Sequence, residues 1–210
     1  MKIGDIKAEA LRLMFVTGTQ DIGAEQIDDL ITADDPLSHY LLAMTGSINR
    51  ALTDIEQRRL IRSRSVTIPK SQSGDGFVRY FDTATIPDFL SVDYITYRDA
   101  QGYDGDVAYT MDGGILALPE AEGTYTLLYR PSLIRLTSSY GNNKELAGIP
   151  DRVACLIPYY IKGDLFSEDE PGAATEARNW YEASVSLLEL KDDARKQNRV
   201  ENVMGEGYYA

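Results

Sequence analysis

The sequence predicts an α+β protein, in which helices from both chain ends form a helical bundle with a small antiparallel β sandwich or barrel inserted. Apolar residues recur at helical spacing near both ends, whereas residues from about Ser63 to Arg135 alternate as short strands do. The chain has 210 residues, 43% of them hydrophobic, which is enough for a real core. We expect an N-terminal helical part (1–62), a β module (63–135), a second helical part packing on the first (136–196) and an extended C-terminal tail (197–210).

The N-terminal part contains two predicted helices. The first has apolar residues three or four positions apart from Ile3 to Met14 and is expected to end at Thr17-Gly18-Thr19. The second and longer helix follows Asp34-Asp35-Pro36, because acidic residues before a proline are typical of a helix start. It is expected to run to about Leu60. Its predicted buried face consists of Leu41, Met44, Ile48, Leu52 and Ile55.

The β module is predicted from six runs of alternating or apolar residues, separated by glycine-containing turn signals. Seven of the fourteen tyrosines lie within it. Strands this short and this evenly spaced are typical of a small sandwich or barrel. The predicted strands are 66–68, 77–81, 92–97, 107–110, 115–118 and 124–129.

Helical periodicity returns after residue 148. Pro150-Asp151 is a predicted first turn, and Pro158 is expected to kink the helix that follows because proline lacks an N–H. Glu170-Pro171 begins the last predicted helix, after which polar residues lead into the tail. Its predicted apolar face consists of Ala174, Ala177, Tyr181, Val185 and Leu188.

Composition limits the classes of partner. The net charge is −12 and is spread along the chain, which disfavours binding to nucleic acid and to anionic membranes. The single cysteine excludes an internal disulfide, and Met1 to Asp5 lacks the apolar run of a signal peptide. No apolar stretch approaches the roughly 18 residues that span a bilayer. We therefore expect an intracellular protein without a membrane partner.

Residue types that carry catalysis are scarce. His39, the only histidine, has no nucleophile pattern beside it and is interpreted as a helix-surface residue, while Cys155 is expected in the core. The acidic residues of 104–112 lack the spacing of a calcium loop and are interpreted as turn residues. We predict no enzyme, no catalytic residue, no metal and no cofactor, although catalysis by carboxylates alone stays open.

Two segments are candidate partner-binding surfaces. One is the arginine cluster, which we define as Arg58, Arg59, Arg62 and Arg64; it also lies where cations favour a helix C-terminus. The other is the tail, because tyrosine and methionine are favoured at interfaces and an extended tail can dock on a neighbour. The tail residues predicted to make contacts are Val203, Met204, Tyr208 and Tyr209.

A resemblance to a known family rests on the helical ends, about half of the chain. An amphipathic first helix and a late helix opening with Ile-Pro-Asp resemble the head–tail connector (adaptor) proteins of tailed bacteriophages. The simplest adaptors are nearly all helical, so the β module is a departure. The residues that carry the similarity are Lys2-Ile3-Gly4-Asp5-Ile6 through Met14 and Ile149-Pro150-Asp151-Arg152-Val153 through Leu165.

The resemblance implies a structural protein of the virion neck, assembled in the host cytoplasm as a ring, usually dodecameric. The ring would join the portal protein to the tail or next neck protein, and DNA would pass through its acidic channel without specific binding. Three alternatives remain: a tail-completion or stopper protein, a glycan-binding or glycan-hydrolysing protein that uses the β module, and a bacterial partner-binding module without a viral link.

Overall fold

The protein has an α+β fold with two antiparallel sheets. The computed structural model describes residues 1–15, 22–33, 35–69, 78–137 and 141–200, with side chains as far as residue 189. Asp34 and Phe77, which belong to predicted elements, lie outside these residues. The chain divides into a helical unit, Met1–Leu60 with Ile134–Ala210, and a β unit, Ile61–Leu133. The helical unit is thus built from both ends of the sequence.

The helices of the helical unit occur in two groups along the chain. A single turn of 3-10 helix, Ala24–Gln26, directly precedes the second helix of the chain. The helices are α1 (Ile3–Met14), α2 (Ile27–Thr32), α3 (Ser38–Gln57), α4 (Asp151–Ala154), α5 (Ile157–Leu165) and α6 (Pro171–Val200).

Helix α5 lies at the centre of the helical unit, where it contacts α1, α3 and α6. Its Ile157 and Ile161 are fully buried. The predicted buried face of α3 is confirmed, since Leu41, Met44 and Ile48 are inaccessible to solvent, as are the other residues of that face. Burying a side chain of this size contributes about 1.5–3 kcal/mol, so these contacts supply much of the unit's stability.

Pro158 begins a helix and does not kink one. The chain leaves α4 at Ala154, turns through Cys155, and re-enters a helix with Pro158 in the first turn of α5. A proline fits there because the first N–H groups of a helix have no partner within it. The turn also exposes Cys155, so the prediction of a core cysteine was wrong.

The last helix is longer than the sequence indicated. Helix α6 extends to Val200, so residues 197–200, which were expected to begin an extended tail, are helical. The preceding residues, Lys191 to Arg199, include many good helix formers, which sustain a helix even without an apolar face.

The β unit contains two open antiparallel sheets. The first has the strand order β1-β7-β3-β4 and the second the order β2-β6-β5. Neither sheet closes within the described residues, so a barrel was the wrong alternative. The strands are β1 (Arg64–Ile68), β2 (Val78–Asp82), β3 (Phe89–Asp99), β4 (Asp104–Asp106), β5 (Thr110–Asp112), β6 (Ile115–Pro119) and β7 (Gly123–Pro131).

Buried residues of both sheets form one hydrophobic cluster. The long antiparallel pair of β3 and β7 supplies Ile95, Tyr125 and Leu127, and β6 supplies Leu116 and Leu118. The alternating burial along β7 follows the two-residue period of a strand with one buried face. Both sheets therefore depend on the same core.

The predicted strand at 107–110 was wrong in its placement. Residues 107–109 are not in a strand, because the chain there passes from β4, which pairs with β3, to β5, which pairs with β6. Backbone that changes sheets has no neighbour for a continuous ladder. The apolar residues at this crossing gave the sequence the pattern of a strand.

An arginine lies within the core of the β unit. Arg79 on β2 is inaccessible to solvent, and its guanidinium carbon lies 4.7 Å from the centre of the Tyr125 ring. Its Nη2 donates to Glu120 at 2.8 Å and to the Ala121 carbonyl at 3.3 Å. A buried guanidinium persists where carboxylate, carbonyl and aromatic partners replace its water.

Candidate interaction surfaces

The arginine cluster begins where helix α3 ends. Arg59 has a φ of 61°, in the left-handed region, and its N–H donates to the carbonyl of Glu56 at 3.0 Å. The N–H of Leu60 donates to the carbonyl of Ile55 at 3.1 Å. These two bonds form a Schellman motif, which satisfies carbonyls at the helix end and terminates the helix.

Arg58 bonds to carboxylates inside the helical unit. Its Nε donates to Asp54 at 3.0 Å, and its Nη2 donates to both oxygens of Glu182 on α6, at 2.9 and 2.7 Å. A third carboxylate, Glu189, lies 3.8 Å from Nη1. Burial lowers the pKa of Arg58, but hydrogen bonds to Asp54 and Glu182 outweigh that effect and raise it. Arg58 therefore links α3 to α6.

The hydroxyl of Tyr181 joins the same network. It donates to Asp54 at 2.7 Å, and burial together with this bond raises the pKa of Tyr181. A cavity of about 330 Å³ lies alongside, lined by Asp54, Tyr160, Asp164, Arg178, Tyr181 and Glu182. Asp164 in turn accepts a hydrogen bond from the Nε of Arg50 at 3.1 Å. Carboxylates paired with arginines in this way favour a structural role for the network.

The other arginines of the cluster differ in their surroundings. Arg62 and Arg64 belong to the β unit, where Arg64 pairs with Asp88. Arg59 and Arg62 are exposed, and the side chain of neither makes an ion pair or hydrogen bond within the part of the chain that the structure describes. The cluster is thus divided between the two units, and Arg59 and Arg62 retain charges that are open to a partner.

The tail residues of the sequence prediction, Val203, Met204, Tyr208 and Tyr209, lie outside the described residues.

Residues considered for catalysis or metal binding have ordinary surroundings. His39 is exposed, and its ring centre lies 4.0 Å from that of Tyr40. Asp104 receives two hydrogen bonds from Arg98, at 2.8 and 3.0 Å, which lower its pKa. Among the described residues, no group of three or more histidine, cysteine, aspartate or glutamate side chains is arranged to hold a metal ion.

Sequence reasoning missed a groove in the helical unit. Its volume is about 420 Å³, and its floor includes Trp180 of α6 and Tyr159 of α5, whose stacked rings lie 3.8 Å apart. The remaining lining residues come mainly from α1 and the turn after α4: Met1, Asp5, Ala8, Glu9, Arg12, Ala24 and Cys155. The sequence contained one signal of this groove. Tyr181 is on the predicted buried face of the last helix, so its neighbour Trp180 had to lie at the edge of that face.

A surface with exposed tyrosines lies on the sheet of β2, β6 and β5. Tyr80 and Tyr109 line a depression of about 550 Å³ with Val78, Ala117 and Pro119. Tyr80 is 51% exposed and Tyr109 39% exposed, so their rings are accessible to a ligand. The sequence located both among the seven tyrosines of the β module, which the glycan-binding alternative uses, but did not single out this pair.

Comparison with models of known protein families and with curated proteins found no match. Within the described residues, no helix is long and apolar enough to cross a membrane.

Proposed function

We propose that the chain is a structural subunit of a tailed-bacteriophage neck, an adaptor that forms a homo-oligomeric ring between the portal and the tail or next neck protein. The observation that carries the proposal is the helical unit built from both chain ends, with α4 beginning at Asp151 directly after Ile149-Pro150. This is the part of the chain on which the resemblance to adaptors rests.

We also propose how the elements of the fold are arranged. The helices of both ends form one bundle, and the two sheets stack as a sandwich inserted into it. The support for the bundle is the contact of α5 with helices from both halves of the sequence. The support for the sandwich is the cluster of buried residues that the two sheets share.

Exposed apolar side chains support an assembly role. Leu42, Ile134 and Leu187 are 62%, 57% and 61% exposed. Large apolar residues on a surface are favourable where a neighbouring subunit covers them. The net charge of −12 fits a channel wall that repels the phosphate backbone of DNA and so lets it slide.

Electron microscopy of phage particles made without this protein tests the role. An adaptor predicts full heads that carry no tail. Tail-bearing particles whose heads have lost DNA would instead support the stopper alternative, and normal, infectious particles would contradict any neck function.

The exposed tyrosines of the β unit favour a second candidate, glycan binding. Tyr80 and Tyr109 line one depression, and aromatic rings stack on the apolar faces of sugars. A glycan-array screen of the chain and its Y80A/Y109A variant tests this function. Binding that the double variant loses would support it, whereas absence of binding by the unchanged chain would retire it.

A further inference from the structure

Helix α1 buries a lysine whose amine has no direct partner. Lys7 is 5% exposed, and its side chain makes no hydrogen bond or ion pair with the residues that the structure describes. Burial lowers the pKa of Lys7, and the charge of nearby Asp28 opposes that effect only in part. A larger share of this amine is therefore neutral, and so nucleophilic, than of a lysine amine in water.

The carboxamide of Asn142 is buried beside the same helix. Its Nδ2 donates to Oδ1 of Asp28 at 2.6 Å, while its own Oδ1 is buried without a hydrogen-bond partner among the described residues. The backbone of Asn142 contacts α1 directly, because its carbonyl accepts a hydrogen bond from the N–H of Gly4 at 2.8 Å. Lys7 follows Gly4 by three residues and lies on the same side of the helix.

Asp28 of α2 connects the amine with the carboxamide. It is exposed, yet it accepts the hydrogen bond from Asn142, and its charge acts on the amine of Lys7. A buried amine and a buried amide oxygen that both lack partners destabilise a fold. The three side chains bring together a nucleophile, an amide carbon and a carboxylate that can carry a proton between two nitrogens.

We propose that Nζ of Lys7 attacks Cγ of Asn142 and forms an isopeptide bond within the chain. The Nζ–Cγ bond forms, the Cγ–Nδ2 bond breaks, and Nδ2 leaves as ammonia. Asp28 accepts the proton that Nζ loses and donates it to Nδ2, so the carboxylate is regenerated and no oxidant or cofactor is consumed. Holding the three groups together in the folded chain makes the reaction unimolecular.

The bond fastens α1 to the segment before α4, so the whole β unit lies within a closed covalent loop. It replaces an amine that is costly to bury by a neutral amide, and closing a long loop restricts the unfolded chain. Because the amine meets Asn142 only after α1 has docked, the bond accumulates after folding and freshly folded chain retains the free amine. This reaction does not depend on the virion role proposed above.

Intact mass spectrometry of the unfolded full chain, sampled during incubation of the folded chain at mildly alkaline pH, tests the proposal. We expect the chain to lose the mass of one ammonia molecule, and a tryptic digest to contain a branched peptide that joins Lys7 to Asn142. A full mass that persists through the incubation would overturn the proposal. Loss of ammonia without the branched peptide would show a succinimide at an asparagine, and would overturn it equally.

Matched variants identify the two bonded residues. K7R and N142A should each keep the full mass, because a guanidinium is not a nucleophile and alanine has no carboxamide. K2R and N143A change exposed residues nearby and should form the bond as the unchanged chain does. A branched peptide in K7R or N142A would contradict the assignment. The branched peptide from the unchanged chain decides the proposal even where a variant fails to fold.

A second pair tests the proton carrier. D28N should slow bond formation by at least about a hundredfold, because an amide cannot carry the proton from Nζ to Nδ2. D29N removes the same charge from the adjacent exposed residue and should leave the rate unchanged. Bond formation at the same rate in both variants would refute the role of Asp28.

Discussion

Replacing Arg58 with methionine should destabilise the helical unit, because Arg58 joins α3 to α6. The side chain is 24% exposed and donates hydrogen bonds to Asp54 at 3.0 Å and to Glu182 at 2.7 and 2.9 Å. Glu182 is 54% exposed, so solvent screens that pair and reduces its contribution. About 1 kcal/mol for each carboxylate gives a loss of about 2 kcal/mol in the free energy of unfolding. Methionine keeps most of the apolar packing of the arginine stem, so the loss reports mainly the charge network.

Urea unfolding followed by the fluorescence of Trp180 measures this loss, because the only tryptophan lies in α6. For a slope of about 2 kcal/mol per molar urea, R58M should lower the midpoint by about 1 M. The matched control is R59M, which changes an exposed arginine one residue away and should alter stability by less than about 0.5 kcal/mol. Equal, small changes in stability from the two substitutions would refute the assignment of Arg58 to the interior network. Arg58 would then be, like Arg59, a charge open to a partner.

For three further sets of substitutions, the structure determines the direction in which stability changes. R59G should stabilise the chain by about 1 kcal/mol in thermal unfolding, because residue 59 has a φ of 61° that glycine adopts without strain; destabilisation would show that the arginine side chain matters more than its backbone. R79A and E120Q should each cost about 3 kcal/mol, because the first removes a fully buried side chain and the second leaves its guanidinium without a counter-charge; a loss below about 0.5 kcal/mol for either would contradict the core role of Arg79. Desolvation lowers the pKa of buried Lys7 in the folded state, so the unfolded state binds more protons between that lowered value and 10.5, and stability rises with pH in this range. K7M should flatten this rise. Parallel stability–pH curves of the two proteins would refute this.

Helix faces were readable from the sequence because their causes are local. The spacing of Leu41, Met44 and Ile48 predicts one buried stripe whatever lies against it, and all three are buried. The helix end was less readable. Helix α3 ends at Gln57, earlier than expected, because Arg59 adopts a left-handed conformation. Glycine usually occupies that position, and its presence in a sequence then indicates a helix end. An arginine at residue 59 does not indicate that a helix ends there.

The strands were less predictable, because pairing depends on distant parts of the chain. Runs with turns on both sides were located well, and 115–118 lies within β6. Asp104–Asp106 has the composition of a turn, yet it forms β4 because its backbone pairs with β3, where Arg98 lies opposite Asp104. That partner is supplied by tertiary structure, which overrides local preference.

The candidate surfaces required tertiary information for a related reason. Arg58 and Glu182 are 124 residues apart in the sequence, and no local pattern connects them. The groove beside Trp180 is formed by α1, α6 and the turn between α4 and α5, and that turn exists because Pro158 starts a new helix. Reading Pro158 as a kink kept Cys155 in the core and so concealed the groove.

We propose that this chain acts as a ring-forming subunit bound to a portal. Native mass spectrometry of the chain co-purified with the portal protein of the same genome tests it most directly. We expect a complex in which a closed ring of many copies is bound to the portal. A folded chain that forms neither a ring nor a complex with the portal would contradict it.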